Sequence, residues 1–193
     1  MKRIVLASAS PRRKQLLEWA EVDFDIIVQA TDEGFPETLS PAEAAIYIAR
    51  QKALAVKGCD EYRQYNQQVP LLAADTIVVC EDKIIGKPID KNDAIRTLKQ
   101  LSGKRHLVVT GVVILNGTEE KTFADVTEVW FHELTHKQIV FYVDKYKPYD
   151  KAGAYAIQEW IGVVGIERIN GDFYNVMGLP VSRVVRELQD LRF

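Results

Sequence analysis

Residues 106–131 hold two long runs, "HLVVTGVVILNG" and "KTFADVTEVWF", that meet at Asn116-Gly117. Both runs are rich in β-branched and aromatic residues, which suit a pleated strand. Asn-Gly between two such runs is a hairpin signal, because the glycine takes the positive φ that the tight turn needs. Any fold for this chain must therefore hold a long antiparallel pair. The rest of the sequence has to be arranged around it.

Helical patterns alternate with shorter strand patterns on both sides. "IVLA" (4–7) reads as a buried strand, and "SPRRKQLLEWA" opens a helix with Ser10 as N-cap and Pro11 at N1. "FDIIV" (24–28) reads as a strand. In "SPAEAAIYIARQKALAVKG", Ser40 and Glu43 form a capping box, Pro41 sits at N1 and Gly58 ends the helix. The polar stretch "KGCDEYRQYNQQVP" (57–70) reads as a helix end and a surface loop. "LLAADTIVVC" (71–80) is an apolar strand that turns through "EDK" into a short partner, "IIG". Asp90 caps a helix that runs to about Leu101. Another helix covers about 136–145, "GVVGIERING" (162–171) is strand-like, and "PVSRVVRELQDL" is a closing amphipathic helix. Helices interleaved with strands and at least one hairpin predict an α/β fold, a mixed twisted sheet flanked by helices.

The composition removes several function classes. Among 193 residues, 25 basic side chains face 27 acidic ones, so no global positive field draws a nucleic-acid polymer. No stretch approaches the roughly 20 apolar residues of a membrane span, and the start is too short an apolar run for a signal peptide. Cys59 and Cys80 form no CxxC and read as small hydrophobes in a reducing compartment. The expectation is a cytoplasmic protein with no membrane partner.

"HELTH" (132–136) spells H-E-x-x-H, a zinc-protease motif that requires both histidines on one helix. Here Thr135 and Gln138 make a second capping box, with Leu134 and Ile139 at the staple positions. The helix then starts near His136 and leaves His132 on the strand side, so the zinc geometry is lost.

The chemistry lies elsewhere. "SASPRRK" places Ser8, Ser10, Arg12, Arg13 and Lys14 at a loop running into a helix N-terminus. Cations there oppose the helix dipole, and an anion such as phosphate would explain them, since arginine binds phosphate oxygens bidentately. A solvated basic turn is the alternative. Asp75, followed by Thr76, stands inside an apolar run. A carboxylate there must meet a cation or a metal, or face a cleft; the cleft is the favoured reading, and a strand-end aspartate capping a neighbouring loop is the alternative. Lys87 projects from a loop stiffened by Pro88, where taken alone a solvated turn lysine is the better reading. Asp32 and Glu33 form an acidic pair after the second strand. Lys52 sits at the edge of an apolar helix stripe, where snorkelling is the alternative. "DKAGAYAIQ" (150–158) lets backbone approach something closely at Gly153 and ends in Gln158, whose amide can read a base edge; a packed turn is the alternative. Cations from separate loops, with acids able to hold a metal, suit a triphosphate with Mg²⁺ or Mn²⁺. No Walker A and no G-x-G-x-x-G is present.

"SASPRR", "TDE", "ARQKA", "AADT", "GKP", "DKAGAYAIQ" and "NVMGLP" occur in the order in which the Maf proteins carry such blocks, and the chain resembles that family over nearly its whole length. Ala9 and Met177 are small departures from the pattern. The resemblance implies one domain over 1–193, with two lobes around a central cleft as in inosine triphosphatases. It implies a nucleoside triphosphate pyrophosphatase that cleaves between the α- and β-phosphates. It also implies a divalent cation (Mg, Mn or Co), a homodimer and a link to septum formation. Asp75 matches the family's proton acceptor. Ser8, Arg12, Arg13, Lys52 and Lys87 match substrate-binding positions, and Glu33 with Asp75 matches the metal site. Arg12, Thr76 and Gln158 occupy the positions that sort subfamilies and point to dTTP and UTP, with modified pyrimidine nucleotides as further candidates. A different base preference, or a nucleotide-binding regulator of cell division, is the alternative implied.

Overall fold

The computed structural model describes residues 3–65 and 69–191. The expected hairpin lies within its sheet. Strand β5 (Arg105–Asn116) turns into β6 (Glu119–Phe131), and Gly117 takes φ +60° at the turn. Five further strands are β1 (Ile4–Leu6), β2 (Phe24–Ile26), β3 (Leu71–Cys80), β4 (Lys83–Ile85) and β7 (Ile166–Asn170). Their order is β2-β1-β3-β5-β6-β7, with β4 paired to β3 off that path. β1 is parallel to both β2 and β3, while β4 and β7 pair antiparallel, so the sheet is mixed as expected. No helix among the described residues is long and apolar enough to cross a membrane.

The chain divides into two compact units. The first comprises Met1–Asp75, Thr110–Asp125 and Gly178–Phe193. It holds helices α1 (Pro11–Trp19), α2 (Pro41–Gly58), α3 (Asp60–Arg63) and, later in the chain, α8 (Val181–Gln189). Ser40 and Glu43 cap α2 reciprocally, as the sequence predicts. α2 then lies directly on β5. A Cβ at Gly111 would sit 2.3 Å from the Ala45 carbonyl carbon and the Ile46 nitrogen, so only glycine lets these backbones meet. Ala49 and Ala53 continue that contact face into a core with Val5, Ile27, Leu71, Ala73 and Val113. This approach fixes where Lys52, on the edge of the same face, can reach.

The second unit comprises Thr76–Val109 and Val126–Met177. It contains α4 (Lys91–Leu101), α5 (His136–Tyr146), α6 (Trp160–Gly165) and α7 (Phe173–Met177). A 3-10 turn, Ala152–Ala154, precedes α6. Asp90 caps α4 through the Asp93 N–H, and Thr135 with Gln138 caps α5.

Four expectations are corrected. Ser10 stands at the N-cap of α1 but makes no capping hydrogen bond; its own N–H donates to Ser8 Oγ at 3.2 Å. The strand read over 24–28 stops at Ile26. The polar stretch 57–70 carries the short helix α3, and residues 66–68 of it lie outside the described residues. The "strand" at 162–171 is half helix: α6 runs to Gly165 before β7 begins.

Candidate active site

Asp75 lies in β3, where nine of ten residues are buried, and is itself only 8% exposed. A carboxylate so placed needs a partner, and it has one. Lys52 Nζ of α2 donates to Asp75 Oδ1 at 2.6 Å. Of the readings open for Asp75, the structure shows the cation. The same ammonium donates to Glu33 Oε1 at 2.8 Å. Glu33 reaches it from the loop after β2, which the Asp32 carboxylate bends by accepting the Gly34 N–H at 2.9 Å. The lysine side chain is 18% exposed and the glutamate's 47%, so one side of the triad is wet. Two carboxylates and one lysine from three chain segments therefore converge within one unit.

Beside it, Ser8 and Arg13 form a buried pair. Arg13 Nη1 donates to Ser8 Oγ at 3.2 Å, and Nε donates to the Gly178 carbonyl at 2.8 Å. Burial pushes the Arg13 guanidinium below its usual value; the negative charge of Asp75 opposes this, Arg12 reinforces it and Glu33 again opposes it. Arg13 thus lies within the field of both carboxylates. Arg12 is half-buried in the same first turn. Lys14, by contrast, pairs with Glu18 along the exposed face of α1 at 3.7 Å, the solvated reading.

Thr76, Lys87 and Gln158 belong to the second unit. Thr76 follows Asp75 on β3 and is half-buried. Lys87 and Gln158 are both exposed on loops. Those loops are joined: the Gly153 N–H donates to the Gly86 carbonyl at 3.2 Å. A Cβ on Gly153, at φ +70°, would meet Val78 at 3.1 Å, so the close approach anticipated there is internal packing. The structure brings together Ser8 with Arg13, and Glu33 with Lys52 and Asp75.

The zinc motif fails as expected. His132 lies beyond the end of β6 and donates its N–H to the Gly165 carbonyl, while His136 is the first residue of α5. No group of three or more His, Cys, Asp or Glu among the described residues is placed to hold a metal. Glu33 and Asp75 nonetheless offer two hard oxygen donors on one site. Mg²⁺ and Mn²⁺ suit such a set, because Mg²⁺ typically takes one or two carboxylates and completes its shell with substrate phosphate and water.

Sequence reasoning assigned no role to the Gly178 carbonyl that accepts Arg13. The signal was present in "NVMGLP", since Gly178 takes φ +118°, a conformation that favours glycine.

The family described as Maf-like protein matches residues 3–191. A dTTP/UTP pyrophosphatase of Bacteroides fragilis (strain YCH46) is 46% identical over 190 residues, covering 98% of this chain and 96% of its own. One from Bacillus cereus (strain AH187) is 46% identical over 189 residues, covering 98% and 95%. Among solved structures, a HAM1 protein from Coxiella burnetii matches with TM-score 0.50 at 16% identity, over 99% of this chain and 100% of that one. That last likeness concerns the fold alone.

Proposed function

The chain belongs to the Maf family, and from that premise we propose that it is a nucleoside triphosphate pyrophosphatase acting on dTTP and UTP. The products are the nucleoside monophosphate and pyrophosphate. The observation that carries this reading is the Lys52 bridge between Asp75 and Glu33, set beside two arginines, in a chain so similar to enzymes of that name.

Asp75 acts as the general base. Its carboxylate takes a proton from water as the water oxygen attacks phosphorus, and the bond to the pyrophosphate oxygen breaks. Lys52 orients that carboxylate and offsets negative charge on the phosphates. Arg12, at the mouth of the first turn, contacts phosphate directly. Arg13 has Nε and Nη1 engaged by Gly178 and Ser8, so it contributes a fixed positive field and holds the Ser8 hydroxyl in place. Lys87 contacts phosphate, and Thr76 with Gln158 hydrogen-bonds the pyrimidine; these three roles rest on the sequence pattern. Glu33 and Asp75 would hold a divalent Mg, Mn or Co ion, which supplies Lewis-acid stabilisation of the phosphate charge. A cytoplasmic homodimer belongs to the same reading, and sedimentation of the purified chain tests the dimer.

The test is pyrophosphate release from a panel of nucleoside triphosphates with Mg²⁺ or Mn²⁺. Turnover should favour dTTP and UTP, and Asp75→Asn should lower kcat by about 10²–10⁴-fold, the range of general-base catalysis. Wild-type rates in Asp75→Asn would remove the base assignment. A preference for another base would keep the reaction and remove the pyrimidine roles. No release from any nucleotide would favour a nucleotide-binding regulator instead.

A further inference from the structure

The segment that carries Gln158 rests on buried polar groups that no step above uses. His106, on β5 and 1% exposed, places Nε2 at 2.7 Å from the Tyr155 hydroxyl. Tyr155 is three residues before Gln158 and is itself buried. The two rings meet edge-on at 5.4 Å, and Phe131 contacts both, at 5.3 Å and 5.0 Å. Burial pushes the imidazole down to about 4 and the phenol up, so both groups are neutral near pH 7. Further contacts hold the same segment on either side of Tyr155. The Ala156 N–H donates to Tyr142 Oη at 3.2 Å, Tyr142 O–H donates to Glu159, and Lys151 Nζ lies 3.5 Å from Glu159 Oε1.

His106 is a costly way to fill this space. Its Nδ1 is buried without a partner among the described residues. An apolar ring of similar size would avoid that cost. What the imidazole supplies, and phenylalanine cannot, is the hydrogen bond to Tyr155. That bond ties the Tyr155 side chain to β5 three residues before the exposed turn at Gln158. A base-reading amide discriminates only when it is held in register with the groups it must pair, because specificity comes from leaving the wrong partner unpaired.

We propose that the His106–Tyr155 pair is the positioning device for nucleobase selection, acting through Gln158. This rests on the reading that Gln158 contacts the base. His106 and Tyr155 touch neither substrate nor reacting atoms; they set the register of the residue that does.

The experiment is a double-mutant cycle read as selectivity: kcat/KM for dTTP divided by kcat/KM for dATP. Tyr155→Phe removes one oxygen and keeps the ring packing, and His106→Leu removes the partner from the other side. Each should lower the ratio by roughly five- to tenfold, the size of one hydrogen bond's contribution. The loss should come through KM for dTTP, with kcat nearly unchanged. Gln158→Ala alone should lower the ratio too, and Tyr155→Phe added to Gln158→Ala should lower it no further, because both act on one contact. Additive losses, or an unchanged ratio in Tyr155→Phe, would overturn the positioning role and leave Gln158 as base reader. An unchanged ratio in Gln158→Ala would remove the base reading itself, and the inference with it. Should His106→Leu fail to fold, Tyr155→Phe decides alone.

Discussion

Lys52 is where two carboxylates of unequal burial converge, and this inequality separates stability from chemistry. Asp75 is almost wholly enclosed, so removing the ammonium strands a carboxylate in β3. Lys52→Met should therefore cost about 2–4 kcal/mol of unfolding free energy, the scale of breaking a mostly buried pair from one side. Glu33 is half exposed, and its pair with Lys52 is a surface one. Glu33→Gln should change stability by less than about 1 kcal/mol. Urea denaturation of the two variants measures both. A folded Glu33→Gln protein with strongly reduced pyrophosphate release then isolates a role for Glu33 in the reaction, whereas unchanged release would leave it a surface partner of Lys52. At this scale the sequence announced the need but not the answer. Asp75 in an apolar run called for a partner, and Lys52 was visible at the edge of a helix stripe. Their meeting depends on α2 lying against Gly111 of β5, a long-range approach that no local pattern encodes.

Among the elements, the two Ser-Pro helix starts differ in strength, and the residue three positions on marks the difference. Ser10-Pro11 and Ser40-Pro41 both read as N-caps, but only Ser40 has a glutamate at N3, and of the two only Ser40 accepts a backbone N–H, from Glu43, and receives the reciprocal glutamate contact. Ser40→Ala should cost about 1 kcal/mol, the usual loss of an N-cap, and Ser10→Ala only a few tenths. Thermal or urea unfolding of the two variants checks this, and equal losses would mean that Ser10 caps α1 in solution. The long elements were legible because period, caps and turn residues agreed: the hairpin, α2, α4 and α5 all fall where expected. The miss at 162–171 lies in local backbone geometry that composition does not reveal. "WIGVVG" is β-prone by composition, yet it forms α6, and at Gly162 a Cβ would fall 1.7 Å from the carbonyl oxygen of Ile157, five residues back, so the tight winding there requires glycine. The "HELTH" motif is the reverse case, where a local capping box correctly outweighed a functional pattern.

For the molecule as a whole, His106 ties stability to pH. Folding holds its imidazole at about 4 through burial, against about 6.5 in an open chain. Between these values the unfolded chain binds a proton that the folded chain refuses, so protonation favours unfolding. Stability should be independent of this residue above about pH 6.5, fall as the pH drops toward 4, and lose nothing further from it below that. By pH 4, where the folded imidazole is half protonated, the loss approaches about 3 kcal/mol, since folding lowers this group from about 6.5 to about 4 and each tenfold change in proton affinity is worth about 1.4 kcal/mol. Carboxylates titrate over part of the same range, so the comparison has to be internal. His106→Leu removes only the histidine's share, and the difference in unfolding free energy between wild type and variant should change by about 3 kcal/mol between pH 7 and pH 4. The variant should gain on the wild type as the solution is acidified, whatever it loses at pH 7 from the missing Tyr155 contact. A difference that stays constant across that range would show that His106 is not held neutral by burial. The same result would also weaken the neutral hydrogen bond on which the support of the Gln158 segment depends.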